Sequence, residues 1–323
     1  MHNDRKGASA LVIINTLSAQ AIDCPTAIAL GYFDGVHLGH RAVINSAHSR
    51  KQDGLATCVF SFAVTTQNPQ SGKGRLNITT DTLKLEQMQR LGVDYYIVPD
   101  FSEFMGMTAQ EFVQLLVRRL GAREIYCGAN FRFGKGASGD VTLLRQLCES
   151  QGTQVVLVPD VQKDGQPVSS SRIRALLGQG DVAKAGEMLG RPYSFDFVVT
   201  QGRRLGRSIG APTINQYFEP HLLVPRYGVY ASFVCIDNKR LPAVTNIGVR
   251  PTVDANSPPL SETCILDFDG DLYGKRVEVH LVRYLRPELR FDSVDALKDA
   301  VGQDIQMVRA GFDQWLSQTG WYE

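Results

Sequence analysis

The sequence predicts an α/β domain followed by a small β-barrel that ends in a long helix, and two observations predict it. Up to about Gly190, buried-strand runs alternate with helical patterns across short turns, the order of a parallel, doubly wound sheet. After Gly190-Arg191-Pro192 the apolar runs shorten, are separated by Gly, Pro, Asp and Asn, and lose the helices between them. Such strands suit a small barrel that closes its own edges. At 323 residues the chain has room for two cores, placed at 1–186 and 187–323.

Each element has its own signal. Residues 26–30 form an apolar run ending in Gly31, and a helical pattern follows through Val43, Ile44 and Ala47. Residues 55–62 are a second buried strand. A helix at 82–91 leads through Gly92 into a strand at 94–98. The next helix opens on Thr108-Ala109-Gln110-Glu111, a capping box in which Thr108 and Glu111 each satisfy a backbone N–H, and ends near Gly121. A strand at 124–127, a helix at 141–148 and a strand at 153–158 complete the first domain. In the second, 229–236 and 241–247 form a hairpin about Asp237-Asn238. Residues 263–268 and 277–282 are read as another hairpin about Asp269-Gly270-Asp271. Ser293 then caps a long helix whose Val294, Leu297, Val301, Ile305, Val308, Phe312 and Trp315 make a core-facing stripe with no cofactor role.

Composition excludes some functions. Hydrophobic residues are 43% and charged residues 21%, with a formal net charge of +1, so nothing favours bulk capture of nucleic acid or an anionic membrane. The six cysteines are scattered without a Cys-x-x-Cys pair, as expected of reduced thiols in the cytoplasm. The apolar stretch 11–14 is too short for a secretory h-region or a membrane span, so a cytoplasmic location is expected. The expected partners are small molecules, and no oligomeric state follows from the sequence.

Gly31-Tyr32-Phe33-Asp34-Gly35-Val36-His37-Leu38-Gly39-His40 lies between the first buried strand and the first helix. Unpaired N–H groups and the positive end of the helix dipole meet there, which suits a polyphosphate. His37 and His40, three apart, share a face and can both donate to phosphate oxygens. Metal binding by the pair, or simple capping of the helix, are the competing readings. Further along, Val168-Ser169-Ser170-Ser171-Arg172-Ile173-Arg174 reads as a helix start capped by serines, with Arg174 one turn in to grip phosphates.

Gly-x-Phe-Asp-Gly-Val-His-x-Gly-His resembles the nucleotidyltransferase signature of bacterial bifunctional riboflavin kinase/FMN adenylyltransferases. Gly128-Ala129-Asn130-Phe131-Arg132-Phe133-Gly134 resembles that family's glycine-rich segment, and 168–174 the Ile-Ser-Ser-Thr-x-x-Arg motif of the wider superfamily. The resemblance implies a Rossmann-like nucleotidyltransferase domain. Gly31, Phe33, Asp34, Gly35, Gly39, Asn130, Ser170 and Ser171 would bind nucleotide and flavin, and His37, His40 and Arg174 would be catalytic. The implied reaction is attack of an FMN phosphate oxygen on the α-phosphorus of ATP, giving FAD and pyrophosphate by alignment and charge stabilisation with Mg²⁺. The chain departs from the family at 62–69, Phe-Ala-Val-Thr-Thr-Gln-Asn-Pro, where a Glu-Pro-His-Pro-like turn is usual. Ser171 also stands where the superfamily has Thr.

In the second domain, glycines recur at Gly202, Gly206 and Gly210 before Ala211-Pro212-Thr213-Ile214-Asn215. Thr213 and Asn215, two apart, point to one side of an extended segment and offer hard neutral oxygens to Mg²⁺ carrying ATP phosphates. No Gly-Lys-Ser/Thr follows, so this is not a Walker A loop. The segment resembles the riboflavin kinase signature, with Ile214 in place of the common Ala. The blocks 246–252, 262–274 and 285–288 match the same family in order. The resemblance implies a riboflavin kinase-like barrel in which Gly206, Gly210 and Pro212 shape the nucleotide site. Glu262 would act as general base toward the ribityl 5′-hydroxyl. Arg250 contacts phosphate or pairs with an acidic neighbour, and both readings stand. Asp267, Asp269 and Asp271 have calcium-loop spacing, but the Gly comes too early, at Gly270, and Leu272 holds the sixth position where such a loop turns on Gly. The expected function is flavin cofactor synthesis from riboflavin to FMN to FAD. The alternatives are a kinase with an inactive or altered N-terminal domain, and a flavin- or nucleotide-sensing regulator.

Overall fold

The computed structural model describes residues 10–18, 21–62, 76–202, 206, 210–249 and 258–318. The chain divides into two compact units, Met1–Lys73 with Asp81–Val168, and Gly74–Thr80 with Ser169–Glu323.

The first unit is built on a six-stranded, wholly parallel sheet in the order β1-β4-β3-β2-β5-β6. Its strands are β1 (Val12–Ile14), β2 (Thr26–Leu30), β3 (Ala56–Phe60), β4 (Tyr95–Ile97), β5 (Ala122–Cys127) and β6 (Gln154–Leu157). Its helices are α1 (Leu38–His48), α2 (Asp81–Arg90), α3 (Ala109–Gln114) and α4 (Val141–Glu149). The predicted capping box at Thr108 and Glu111 is present, and α3 runs on as a π-helical turn through Arg119.

Strand β2 shows why the sheet is buried on both faces. Ala27 and Ala29 pack with Phe33, Ile44 and Met88 on one face. Ile28 and Leu30 pack with Phe112, Leu116 and Leu144 on the other. Alternating side chains thus feed two cores, as a helix-covered parallel sheet requires. Strands β3 and β4 lie to one side of β2, and β5 and β6 to the other, so the order reverses beside β2. The crevice at the carboxyl ends of β2 and β5 is where such sheets place ligands. The sequence reading missed β1, whose three residues are too few to show a period. A short hairpin, β7 (Gln162–Lys163) with β8 (Gln166–Pro167), closes the unit.

The second unit opens with α5 (Ser170–Gln179) and α6 (Val182–Leu189). Its antiparallel strands are β9 (Tyr193–Val198), β10 (Ile214–Tyr217), β11 (Gly228–Ile236), β12 (Lys239–Gly248), β13 (Leu260–Ile265) and β14 (Arg276–Arg286). They follow the order β10-β13-β12-β11-β14-β9. A bridge from Thr200 to Asn215 and bonds from Gln216 Nε2 to Phe197 O and Val277 O bring the first edge back to the last. The barrel is therefore nearly closed. The terminal helix α7 (Val294–Gln318) lays Val308 and Phe312 on Phe233, Val244, Cys264 and Val282, with Val301, Ile305 and Trp315 packed against them, as its stripe predicts; Val294, counted in that stripe, is instead exposed in the first turn.

One pairing differs from expectation. The β11–β12 hairpin forms about Asp237 and Asn238, both at positive φ (49° and 61°), as a two-residue turn of this hand demands. Strands β13 and β14 do not pair. Strand β13 lies between β10 and β12, and β14 between β11 and β9. A two-residue turn dictates its neighbour, whereas the long 266–275 connection frees each strand to pair where closure of the barrel puts it. Asp267 does not join an acidic loop site but forms a two-bond ion pair with Arg309 at 2.8 and 2.7 Å.

Candidate active site

In the first unit, β2 ends at Leu30 and α1 starts at Leu38, and the seven residues between make a constrained turn. Phe33 and Val36 hold positive φ (55° and 41°) although each has a side chain. Such residues cost about 1–3 kcal/mol each and persist only where packing enforces them, often where a ligand is held. Here both are fully buried, as is Asp34. Gly35 (φ 80°) occupies a conformation that favours glycine.

His37 is the N-cap of α1, its Nδ1 accepting from His40 N at 3.3 Å. An accepting Nδ1 leaves the proton of a neutral ring on Nε2. The two imidazoles stack at 3.5 Å, and the Phe33 ring meets His40 edge-on at 5.4 Å. Gly39 clears this stack, because a Cβ there would sit 3.1 Å from the His37 ring. Capping thus engages Nδ1 of His37.

Beside the turn lies a cavity of about 410 Å³. Gly31 and Tyr32 line it from just past β2, Phe60 and Phe62 from the end of β3 and just past it, Phe101 and Phe104 from the turn after β4, Phe112 from α3, and Phe131 to Gly134 from the loop after β5. Phe62 stacks on Phe104 at 4.9 Å, and Phe131 on Phe133 at 6.0 Å. Asn130 is exposed at the head of that last segment. The sequence reading missed this cavity, although the aromatic spacing in 101–104 and 131–133 carried a local signal. Residues 63–69 of the departure from the family pattern lie outside the described residues.

Ser170, Ser171 and Arg174 belong to the second unit. Ser169 caps α5, accepting from Arg172 N at 3.3 Å. Ser170 and Ser171 occupy the first turn, and Arg174 Nε donates to Leu76 O at 2.8 Å.

The barrel's register gathers the other predicted residues. Asn215 on β10 stands directly opposite Glu262 on β13, and Glu262 directly opposite Asn246 on β12. Cross-strand partners share a face, so a half-buried carboxylate has a carboxamide on each side. Asn246 Nδ2 donates to Glu288 Oε1 at 3.3 Å, and the missing Cβ of Gly248 makes room for the Glu288 carboxylate. Sequence reasoning gave Asn246 and Glu288 no role, although each lies in a matched block.

The described residues ahead of β10 make close contacts. Gly206 O accepts from Ala211 N at 2.8 Å, and a Cβ on Gly206 would collide with the Ala211 carbonyl. A Cβ on Gly202 would lie 2.6 Å from Asn215 Nδ2. Pro212, Thr213 and Ile214 border a cavity of about 770 Å³, shared with Ile265, Phe268, Leu272 and Tyr273 and with Asp269 and Asp271. Gly210 is exposed. Arg250 lies outside the described residues.

Comparison with known proteins finds a family for each half of the chain. Residues 19–172 match the family model for FAD synthetase, and residues 189–312 that for riboflavin kinase. The chain is 36% identical to a Pseudomonas fluorescens protein named bifunctional riboflavin kinase/FMN adenylyltransferase, over 87% of this chain and 91% of that one. It is 35% identical to the protein of that name from Escherichia coli strain K12, over 88% and 92%. A crystal structure described as a macrolide-efflux protein from Streptococcus pneumoniae superposes with a TM-score of 0.81 at 29% identity, covering 93% of this chain and 98% of that one. Among the described residues here, no helix is long and apolar enough to cross a membrane.

Proposed function

The chain belongs to the bacterial bifunctional riboflavin kinase/FMN adenylyltransferase family, and from that premise we propose how its own residues divide the two reactions. It phosphorylates riboflavin to FMN with ATP, and adenylylates FMN to FAD with release of pyrophosphate.

Phosphorylation belongs to the barrel, and the observation that carries this is the Asn215–Glu262–Asn246 register. A ribityl hydroxyl is a weak nucleophile, and Glu262 takes its proton as phosphoryl transfer proceeds. The flanking carboxamides orient the carboxylate and the hydroxyl. The donor set suits Mg²⁺: Thr213 and Asn215 are neutral oxygen ligands, and the bare Gly202 backbone leaves the Asn215 amide its place. The ion, when bound, neutralises charge on the nucleotide's phosphates. The nucleotide lies in the cavity beside Thr213, where Ile214, Ile265, Phe268 and Leu272 offer apolar surface to its base.

Adenylyl transfer belongs to the first unit. The aromatic cavity offers stacking surface to the flat isoalloxazine ring, and Asn130, just before Phe131 on its lining, is the flavin-site asparagine its motif implies. The 31–40 turn receives phosphates at the N-terminus of α1, where Gly31, Phe33, Asp34, Gly35 and Gly39 shape the backbone. His37 and His40 donate to the phosphates and stabilise the charge that builds up during transfer. The nucleophile is already anionic, so no enzymic base is needed. On their motif, Ser170, Ser171 and Arg174 bind phosphate in the same reaction.

Chromatographic separation of FMN and FAD tests this division. His40→Ala is expected to abolish FAD while leaving FMN formation intact. FMN without FAD from the wild-type chain would favour a kinase with a silent N-terminal domain.

A further inference from the structure

Lys84 on α2 is 1% exposed, and no motif singles it out. Its Nζ donates to Tyr32 O at 2.6 Å, Ser61 Oγ at 2.8 Å and Phe62 O at 3.0 Å. It also lies 4.9 Å from the centre of the Tyr32 ring. An ammonium has three protons, and three acceptors are in place for them. Ser61 in turn donates its own hydroxyl to Tyr32 O at 2.8 Å, so the four groups form one network.

The acceptors are not scattered. Strands β2 and β3 are parallel neighbours whose register ends at Leu30 and Phe60. Tyr32 and Phe62 each lie two residues beyond those ends, and one ammonium ties both carbonyls together. Tyr32 opens the phosphate-binding turn. Its ring lies 5.7 Å from that of Phe62 at an interplanar angle of 29°, and both rings line the aromatic cavity. A residue serving stability alone need not carry a charge here, since replacing buried ions with apolar side chains of similar volume is often neutral or stabilising.

We propose that Lys84 is a positioning residue for FMN in adenylyl transfer, holding the flavin-binding aromatic wall and the phosphate-binding turn in one fixed relation. The proposal rests on the reading that the cavity receives the flavin ring. Lys84 lies outside the reacting atoms and acts through Tyr32 and Phe62.

Protonation supplies a readout that a purely structural lysine would not give. Burial pulls Lys84 down to about 8, against the opposing pull of Asp34 on the turn and Asp81 on its own helix. The other groups facing the network are the phenols of Tyr32 and Tyr96, and burial pushes Tyr96 up. As pH rises, Lys84 therefore deprotonates first, and a neutral amine has only two donors for three acceptors. Folding stability moves the other way. Between about 8 and the ordinary lysine value of 10.5 the unfolded chain holds the proton more tightly, so stability from this group rises with pH.

The test uses the full chain, measuring KM for FMN and kcat for FAD formation across pH alongside thermal unfolding. In the wild type, KM for FMN should rise as pH passes about 8 while stability does not fall. Lys84→Met should raise KM for FMN about tenfold, with a smaller effect on kcat, and should lose that pH limb. Riboflavin phosphorylation should be unchanged. A folded Lys84→Met chain with native KM and the same limb would overturn the proposal. Should that variant not fold, FMN binding to the wild type decides, and an affinity flat from about pH 7 to about pH 9.5 overturns it. A wild-type chain that forms no FAD would overturn the cavity reading together with this one, an outcome distinct from an indifferent Lys84.

Discussion

Under the proposed division of labour Glu262 is the base toward the ribityl hydroxyl, and its cross-strand neighbours are Asn215 and Asn246. Replacing Glu262 with Gln keeps the shape and removes the proton acceptor, so FMN formation should fall by about 10²–10⁴-fold. Gly202→Ala asks whether Asn215 must be where it is. Its new Cβ meets the end of the Asn215 side chain, so the barrel should fold while the carboxamide moves. A loss of kinase rate with unchanged thermal unfolding, and a raised magnesium requirement, is the expected result. At this scale the sequence was legible where separate motifs meet: Asn215 and Glu262, singled out from different blocks, stand opposite each other on β10 and β13. It was not legible at Lys84, which reads as one more charge on a helix until its three acceptors are seen to come from the ends of two strands.

Elements position these residues, and their ends are held by nameable contacts. Arg286, at the end of β14, donates from Nε to Asp304 Oδ1 at 3.0 Å and from Nη2 to Oδ2 at 2.7 Å. Asp304 is buried on α7, so the pair ties that helix to the strand leading into Pro287 and Glu288. Asp304→Ala should lower stability by about 3 kcal/mol in a urea titration, because the arginine loses its partner in a partly buried place. Thr108→Ala removes half of the capping box of α3 and should cost about 1 kcal/mol. Strand and helix identity was legible because apolar periodicity is local. The neighbours of β13 and β14 were not, because pairing across a ten-residue connection is decided by barrel closure. The aromatic cavity was hidden for a similar reason: its rings come from the ends of three strands, a turn and a helix.

Across the whole molecule, the proposed phosphate turn and aromatic cavity lie in the first unit, and the carboxylate between two carboxamides lies in the second. Ser170, Ser171 and Arg174, proposed for adenylyl transfer, also belong to the second unit, but none of them is in the set proposed for phosphorylation. Loss of one reaction should therefore leave the other at its native rate whenever its substrate is supplied. The most direct measurement gives wild type and Glu262→Gln either riboflavin or FMN, with magnesium and ATP, and separates the products. The account predicts that Glu262→Gln makes no FMN from riboflavin yet converts supplied FMN to FAD as fast as wild type. Phosphorylation of riboflavin by Glu262→Gln at the wild-type rate would contradict it.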